Sequence, residues 1–164
     1  MVRDASFTVA AVQAAPVFLN RDATVEKACG HIVEAGRRGA RLAVFPEAFI
    51  PAYPDWVWAI PPSEGELLES LYAELVVQAV TIPSDATDRL CKAAREAQAY
   101  VVIGMNEVNA EASGASLYNT LLYISESMFE EYGEPRFKAP TSLRRMVSLG
   151  ILGRKTGKGF FPYE

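Results

Sequence analysis

The amino-acid sequence predicts an α/β fold for its first 124 residues. Three observations support this class: short apolar runs of strand length, longer segments with apolar residues at helical spacing, and the alternation of the two along the chain. The predicted order of elements is βα-β-αα-β-β, and such alternation is typical of α/β domains. Half of the 164 residues are hydrophobic, which is enough for a sizeable core.

The four predicted strands are apolar runs bounded by turn-forming or polar residues. The third run has no polar alternation, so we expect that strand to be covered on both faces. The predicted strands are Phe7–Val12, Arg41–Phe45, Tyr100–Met105 and Leu117–Ile124.

Each of the three predicted helices has an apolar side. Asn20 or Asp22 can cap the first helix, which runs to about Arg38 and is ended by Gly39, and Ser84 can cap the third. A loop rich in proline and aromatic residues, IPAYPDWVWAIPPSEGE, precedes the second. Helical spacing is shown by Val25, Ala28, Cys29 and Ile32 in the first helix, and the second is marked by Leu67, Leu68, Leu71, Leu75 and Ala79. In the third helix, the residues expected to face inward are Ala86, Leu90, Ala93, Ala94 and Ala97.

The character of the sequence changes after Ser125. Residues 126–164 are rich in glycine, basic near their end, and contain no strand-like run. We therefore place a domain boundary at residue 125 and predict a short helical C-terminal tail. Its helices are expected around Glu126–Tyr132 and Ser142–Leu149, with Gly150 ending the second.

Charge and composition limit the classes of partner. The net charge is −4 and the pI is near 5.2, which argues against nucleic acid and anionic membranes as partners. No apolar stretch approaches the roughly 18 residues that a transmembrane helix needs. The start of the sequence is not typical of a signal peptide, and two cysteines do not make a disulfide framework. We therefore expect a cytoplasmic protein.

Glu47 is the first candidate for a functional residue. It follows the strand-like run that ends in VF, after Pro46 interrupts that run, in the stretch VFPEAF. Chemistry in α/β sheets is usually found at the carboxyl ends of strands, so a carboxylate there is a candidate general base.

The first 124 residues resemble the nitrilase branch of the carbon–nitrogen hydrolase family. The resemblance is carried by VAAVQAAPVFLNRDATVEKA, GARLAVFPEAFIPAYPDWVW, YAELVVQAVTIPSDATDRLCKAAREAQAYVVIGMNE and SLYNTLLYIS. It implies an α-β-β-α sandwich that pairs into dimers and larger assemblies, and a catalytic set of Glu, Lys and Cys. In that set the thiolate attacks a nitrile carbon, the Glu is the general base, and the Lys stabilises the tetrahedral intermediate. Glu47 matches the general base.

The motifs that carry the family's Lys and Cys do not follow YNTLLYIS in this sequence. Residues 127–164 instead resemble the C-terminal end of 3-hydroxyacyl-CoA (3-hydroxybutyryl-CoA) dehydrogenases, through MFEEYGEPRFKAPTSLRRMV and LGILGRKTGKGFFPY. The catalytic His and Glu of that family have no counterpart here. We therefore predict a chimera. A truncated nitrilase-like half-sandwich, residues 1–125, is followed by a dehydrogenase-like helical tail, residues 126–164.

Four further residues have an ordinary structural explanation beside a functional one. Cys29 and Cys91 are expected to be buried, inert thiols on helix faces, and His31 a helix-surface residue without a metal partner. Lys138 precedes Pro-Thr as the family's lysine does, but the dehydrogenase-like segment around it explains it better than a stand-in for the catalytic lysine. The segment GRKTGKGF fails the phosphate-loop spacing. We expect no cofactor and no metal.

Two functions remain open at this point. One is a folded chimera without nitrilase catalysis, in which Glu47 is a vestigial general base. The other is a carbon–nitrogen hydrolase that acts on small-molecule nitriles with Glu47 as base. In either case an incomplete sandwich leaves apolar sheet surface to be buried, so we expect a homodimer or a higher homo-oligomer.

Overall fold

A computed structural model of the 164-residue chain describes residues 6–108, 116–125, 145 and 148–149. The chain divides into two compact units, residues 1–124 and 125–164. The elements of the first unit alternate as the sequence predicts. They are β1 (Thr8–Ala11), α1 (Arg21–Arg37), β2 (Ala40–Val44), α2 (Trp56–Ala59), a 3-10 turn (Pro62–Glu64), α3 (Gly65–Gln78), α4 (Asp85–Ala97), β3 (Tyr100–Val108) and β4 (Leu117–Ile124).

The four strands form one sheet in the order β1-β2-β3-β4. The first three strands are parallel, and β4 returns antiparallel beside β3. The α/β class and the truncated half-sandwich predicted from the sequence are confirmed. A parallel sheet requires crossover connections, and α1 provides the one between β1 and β2.

Helices α1 and α4 pack against each other and cover one face of the sheet. Gly36 permits the close approach of the two helices, because an added Cβ would lie 2.6 Å from the carbonyl oxygen of Ala97. The sheet contributes Ala43, Val101 and Ile103 to this core, and all three are almost completely buried. The helices contribute Val25, Ala28, Ile32, Leu90 and Ala94.

The helix starts agree with the sequence signals. Of the two residues that could cap α1, Asn20 does so, and its side chain accepts a hydrogen bond from the amide of Ala23 at 3.0 Å. At the start of α4, Ser84 occupies the predicted N-cap position, but its hydroxyl has no hydrogen-bond partner among the described residues. The Thr87 hydroxyl closes that turn by accepting from the Ser84 amide at 2.9 Å and donating to the Ser84 carbonyl at 2.7 Å.

The second predicted helix forms, but its apolar side is largely uncovered. Within α3 only Leu75 is buried, whereas Leu67 is exposed and Leu68 and Leu71 are half-buried. These leucines thus predict the helix correctly, but no described element packs along the rest of its apolar side. The loop before α3 was also predicted without structure, yet it contains α2 and the 3-10 turn.

The expectation that the third strand is covered on both faces is correct for only part of it. The side chains that face α1 and α4 are buried along the whole strand. On the opposite face, Gly104 and Asn106 are buried, but Tyr100 and Val102 are only half-buried. On that side the strand is covered only where the segment 46–52 passes over it.

Most of the predicted tail lies outside the described residues, including the first tail helix. Arg145 and Ser148 are helical, and the amide of Leu149 donates to the carbonyl of Arg145 at 3.1 Å. The domain boundary at residue 125 stays a prediction. Among the residues that the structure describes, no helix is long and apolar enough to cross a membrane.

Candidate active site

Glu47 lies on a bulge that leaves the sheet just after β2. Two successive carbonyls on one edge of β3, those of Val102 and Gly104, accept hydrogen bonds from the amides of Phe45 and Ile50 at 2.8 and 3.2 Å. In an unbroken strand, one residue would separate the two amides that bond to these carbonyls. Here four residues, 46–49, lie between Phe45 and Ile50, so they bulge out of the strand pairing. This geometry carries the carboxylate of Glu47 out of the plane of the sheet.

The bulge lies directly over Gly104. An added Cβ at Gly104 would lie 2.5 Å from both the Ala48 amide nitrogen and the Pro46 carbonyl oxygen, and 2.7 Å from the Cα of Glu47. Only glycine leaves room for this backbone approach. Ala48 takes up the reversal with φ of 45°, a left-handed conformation that non-glycine residues rarely adopt.

The ends of the bulge are anchored in the core. Phe45 and Phe49 are buried, and their ring centroids are 5.3 Å apart. Beyond the bulge, the Ile50 carbonyl accepts from the Asn106 amide at 2.8 Å, and the Asn106 side chain donates to the Ala52 carbonyl, also at 2.8 Å. The chain is thus held on both sides of Glu47, so the carboxylate is presented by a fixed backbone.

Asn119 is the one described side chain that hydrogen-bonds the Glu47 carboxylate. Its amide nitrogen Nδ2 donates to Oε1 of Glu47. Asn119 lies on β4 and pairs with Asn106, and it shares a face of the sheet with Leu121 and Tyr123 because strand side chains alternate. Both Glu47 and Asn119 are exposed, so the carboxylate is open to solvent on the face opposite α1 and α4.

Sequence analysis missed the part played by Asn119. The asparagine was noted as one letter of SLYNTLLYIS, but its partner is 72 positions away in the chain. Only the register of β3 with β4 and the bulge after β2 bring the two side chains together. A second carboxylate, Glu107, is buried at the same end of β3 on the helix side, and its Oε2 accepts from the Thr120 hydroxyl at 2.7 Å.

Neither cysteine is near Glu47. Cys29 is on α1 and Cys91 on α4, on the other side of the sheet, and the Cys29 thiol donates to the Arg89 carbonyl at 3.6 Å. Both side chains are half-buried rather than buried, so the burial predicted for them is only partly correct. Burial nevertheless raises the pKa of the Cys29 thiol above its ordinary value, and the Arg89 guanidinium offsets this only in part.

The other two candidates are not part of the site as described. His31 is half-buried on α1, on the helix side. Lys138 lies outside the described residues. Within the described part of the chain, no group of three or more His, Cys, Asp or Glu side chains could hold a metal ion. The described site therefore consists of the Glu47 carboxylate, the bulge that carries it, and its partner Asn119 on β4.

The family model of the carbon–nitrogen hydrolases matches residues 8–131, which include the whole sheet and Glu47. The chain belongs to the carbon–nitrogen hydrolase family. A second model, for the C-terminal domain of 3-hydroxyacyl-CoA dehydrogenase, matches residues 112–163 and overlaps the first over residues 112–131. The double resemblance predicted from the sequence is confirmed.

Similar curated proteins include nitrilases of fungi and prokaryotes. An arylacetonitrilase of Aspergillus oryzae is 36% identical over 125 residues, which is 76% of this chain and 33% of the relative. A protein called nitrilase 2, from an unknown prokaryotic organism, is 42% identical over 138 residues, which is 84% of this chain and 42% of the relative. The chain thus spans roughly a third to two fifths of the length of these relatives.

The solved structures with similar folds include an amidase from Nesterenkonia sp. It is 19% identical, with a TM-score of 0.38 over 60% of this chain and 31% of the amidase.

Proposed function

We propose that this chain is a chimera that retains the general-base corner of a nitrilase site and does not by itself hydrolyse nitriles. The observation that carries the proposal is the location of the two cysteines. Both thiols lie on helices across the sheet from Glu47, so no described thiol can give its proton to that carboxylate. The family match supports Glu47 as the position of the base.

The chemistry explains why a base alone is insufficient. Nitrilase turnover needs a thiolate that attacks the nitrile carbon, and the base prepares that thiolate and later activates the water that releases the acid. An isolated general base contributes only about 10²–10⁴-fold to a rate. Without the covalent intermediate, we expect the remaining barrier to keep turnover below detection.

A second candidate function is nitrile hydrolysis by this chain, with Glu47 as base. One observation favours it: the Glu47 carboxylate is solvent-exposed and held by Asn119 on a fixed bulge, as a working base requires. Lys138 would then be the stand-in for the catalytic lysine, and the nucleophile would have to be improvised.

Ammonia release separates the two candidates. We expect the purified chain to release no ammonia above buffer from phenylacetonitrile or butyronitrile at neutral pH. Glu47→Gln tests the base, Lys138→Ala tests the stand-in, and Glu69→Gln removes a comparable exposed carboxylate from α3 as a matched control. Ammonia release by the unmodified chain that survives Glu69→Gln and disappears in Glu47→Gln would establish the second candidate.

A further inference from the structure

Helix α3 has an apolar side that is largely uncovered by the described residues. At 100° per residue, six apolar side chains fall within one half of the helix, and we call them the α3 stripe: Leu67, Leu68, Leu71, Tyr72, Leu75 and Val76. Only Leu75 is buried, whereas Leu67 and Tyr72, towards the two margins, are 47% and 48% exposed. Apart from the 3-10 turn that precedes it, no described element packs extensively against α3.

Carboxylates border the α3 stripe on both sides. Glu69 flanks it on the side of Tyr72, and Glu74 flanks it on the side of Leu67. Both side chains are exposed, and neither forms an ion pair with a residue that the structure describes. Oε1 of Glu74 accepts a hydrogen bond from the Gln78 side chain at 3.0 Å, but this donor is neutral and leaves the charge uncompensated.

The charge around α3 has one sign. Residues 42–88 contain eight Asp and Glu residues and no Lys, Arg or His. Arg21, which belongs to α1, reaches the C-terminal end of α3, but its guanidinium already donates to the carbonyls of Val77 and Ala79 and pairs with Asp22. The negative charge beside the α3 stripe is therefore not balanced by α3 itself or by the segments that flank it in sequence.

We propose that the α3 stripe is a docking site for a basic amphipathic helix of a partner protein. Such a helix covers the stripe with its own apolar side, and lysines or arginines beside that side meet Glu69 and Glu74. The 14 residues of α3 make a helix of about 21 Å, so a partner segment of about four turns matches its length. Nucleic acid and anionic membranes are poorer occupants, because the same carboxylates repel them.

The expected interaction is weak and sensitive to salt. One helix packed on another buries less than the roughly 1,000 Å² that separates specific interfaces from weaker ones, so we expect micromolar affinity. The charges at the margins are exposed, so salt screens them. The docking proposal is independent of the proposed function, because no residue of the candidate site lies on α3.

Fluorescence anisotropy of a labelled peptide tests the proposal on the full chain. The probe is a synthetic helical peptide of about 14 residues, with leucines along one side and lysines along the other. We expect saturable binding at peptide-binding concentrations below about 100 µM, and an affinity that falls at least tenfold between about 50 and 500 mM salt. A peptide with the same leucines but with glutamates in place of the lysines should not bind.

Charge reversal on the chain gives a second test. Glu69→Lys combined with Glu74→Lys should lower the affinity for the lysine peptide at least tenfold, because it replaces attraction at both margins by repulsion. Glu26→Lys combined with Glu96→Lys is the matched control. It changes the net charge equally through exposed carboxylates of α1 and α4, and should lower the affinity by about twofold or less.

Two substitutions on α3 separate the apolar side from the rest of the helix. Leu67→Ser removes an exposed side chain of the α3 stripe and should weaken peptide binding at least threefold. Val77 is 67% exposed on the opposite side of α3, so Val77→Ser should leave the affinity unchanged.

Hydrogen exchange of the unmodified chain keeps the test valid if a variant fails to fold. We expect the lysine peptide to slow exchange of the α3 amides at least fivefold and to leave those of α1 unchanged. Equal affinity for the two peptides, or an unchanged affinity after the double reversal on α3, would overturn the proposal. So would protection of α3 equal to that of α1 in the free chain, which would mean that the chain covers the stripe itself. Protection of α3 that rises with the concentration of the chain alone would replace the basic partner by a second copy.

Discussion

Gly104 is the residue on which the position of Glu47 depends most directly. The bulge at 46–49 passes so close to Gly104 that a Cβ there would collide with backbone atoms, which cannot move aside as a flexible side chain can. The hydrogen bond from Asn119 to Glu47 depends on the same close approach. A single methyl group at position 104 therefore tests both the fold and the site.

Gly104→Ala should lower the free energy of unfolding by about 1–3 kcal/mol, the usual cost of overpacking a tight contact. Gly30→Ala provides the matched control, because Gly30 is inside α1 and a Cβ there would meet nothing within 4 Å. That control should raise the free energy of unfolding by about 0.5–1 kcal/mol through helix propensity. Urea denaturation of the three proteins measures both changes, and equal stability of Gly104→Ala and the unmodified chain would contradict the geometry of the bulge.

A second prediction about a single side chain concerns the reactivity of the Cys29 thiol. Its pKa is raised in the folded state by burial. A thiol with a raised pKa stays protonated to a higher pH in the folded chain than in the unfolded chain. Its contribution to the free energy of unfolding is therefore complete below the pKa of an unfolded cysteine, about 8.5. That contribution is lost as the pH rises through the folded pKa. We therefore expect Cys29 to react with Ellman's reagent at pH 8 more slowly than a free cysteine.

Cys91 must be removed from that measurement, since it is also half-buried. Cys91→Ala reports on Cys29 alone, and Cys29→Ala is the reciprocal control. Reaction of Cys29 at the rate of free cysteine at pH 8 would show that its burial is not retained in solution.

Helix α3 differs from the other long helices in how it is attached. It buries Leu75 alone, whereas α1 buries five residues. Its C-terminal end is held by Arg21, whose guanidinium donates to the carbonyls of Val77 and Ala79 at 3.4 and 3.2 Å. The Gln78 side chain accepts from the Arg21 amide at 2.9 Å. Polar contacts at one end thus attach a helix whose apolar side is largely uncovered by the described residues.

Hydrogen exchange should reveal this difference. Few buried apolar contacts mean a low free energy of local opening, so the amides of α3 should exchange faster than those of α1. Arg21→Ala should accelerate exchange at the C-terminal turn of α3, whereas Arg38→Ala, which removes an exposed ion pair with Glu34, should not. Equal protection of α3 and α1 would mean that another part of the molecule covers α3.

For the molecule as a whole, the features that could be predicted from the sequence are those determined by residues close together in the chain. The caps at Asn20 and Ser84 and the four strands follow from residue types at short spacing. The position of Glu47 after β2 follows from the same local pattern. Periodicity indicates which side of an element can be buried, but not whether anything covers it, so the exposure of Leu67 was not predictable.

The contact between Asn119 and Glu47 was unpredictable for a related reason. It depends on the register of β3 with β4 and on the bulge after β2. Neither is specified by a short segment, because each is formed by parts of the chain that are far apart in sequence. Family membership, by contrast, was recognisable from the first 124 residues, because many short motifs agree with one another over most of that length.

The strand residues on the sheet face opposite α1 and α4 carry no charge, and this has a thermodynamic consequence. Covering apolar surface lowers the heat capacity, and near room temperature its driving force is largely entropic. Any association through this face should therefore weaken when the solution is cooled, unlike a contact held by ion pairs. The Glu47 carboxylate is also presented at that face, so salt should act on such an association through this one side chain rather than through the strands.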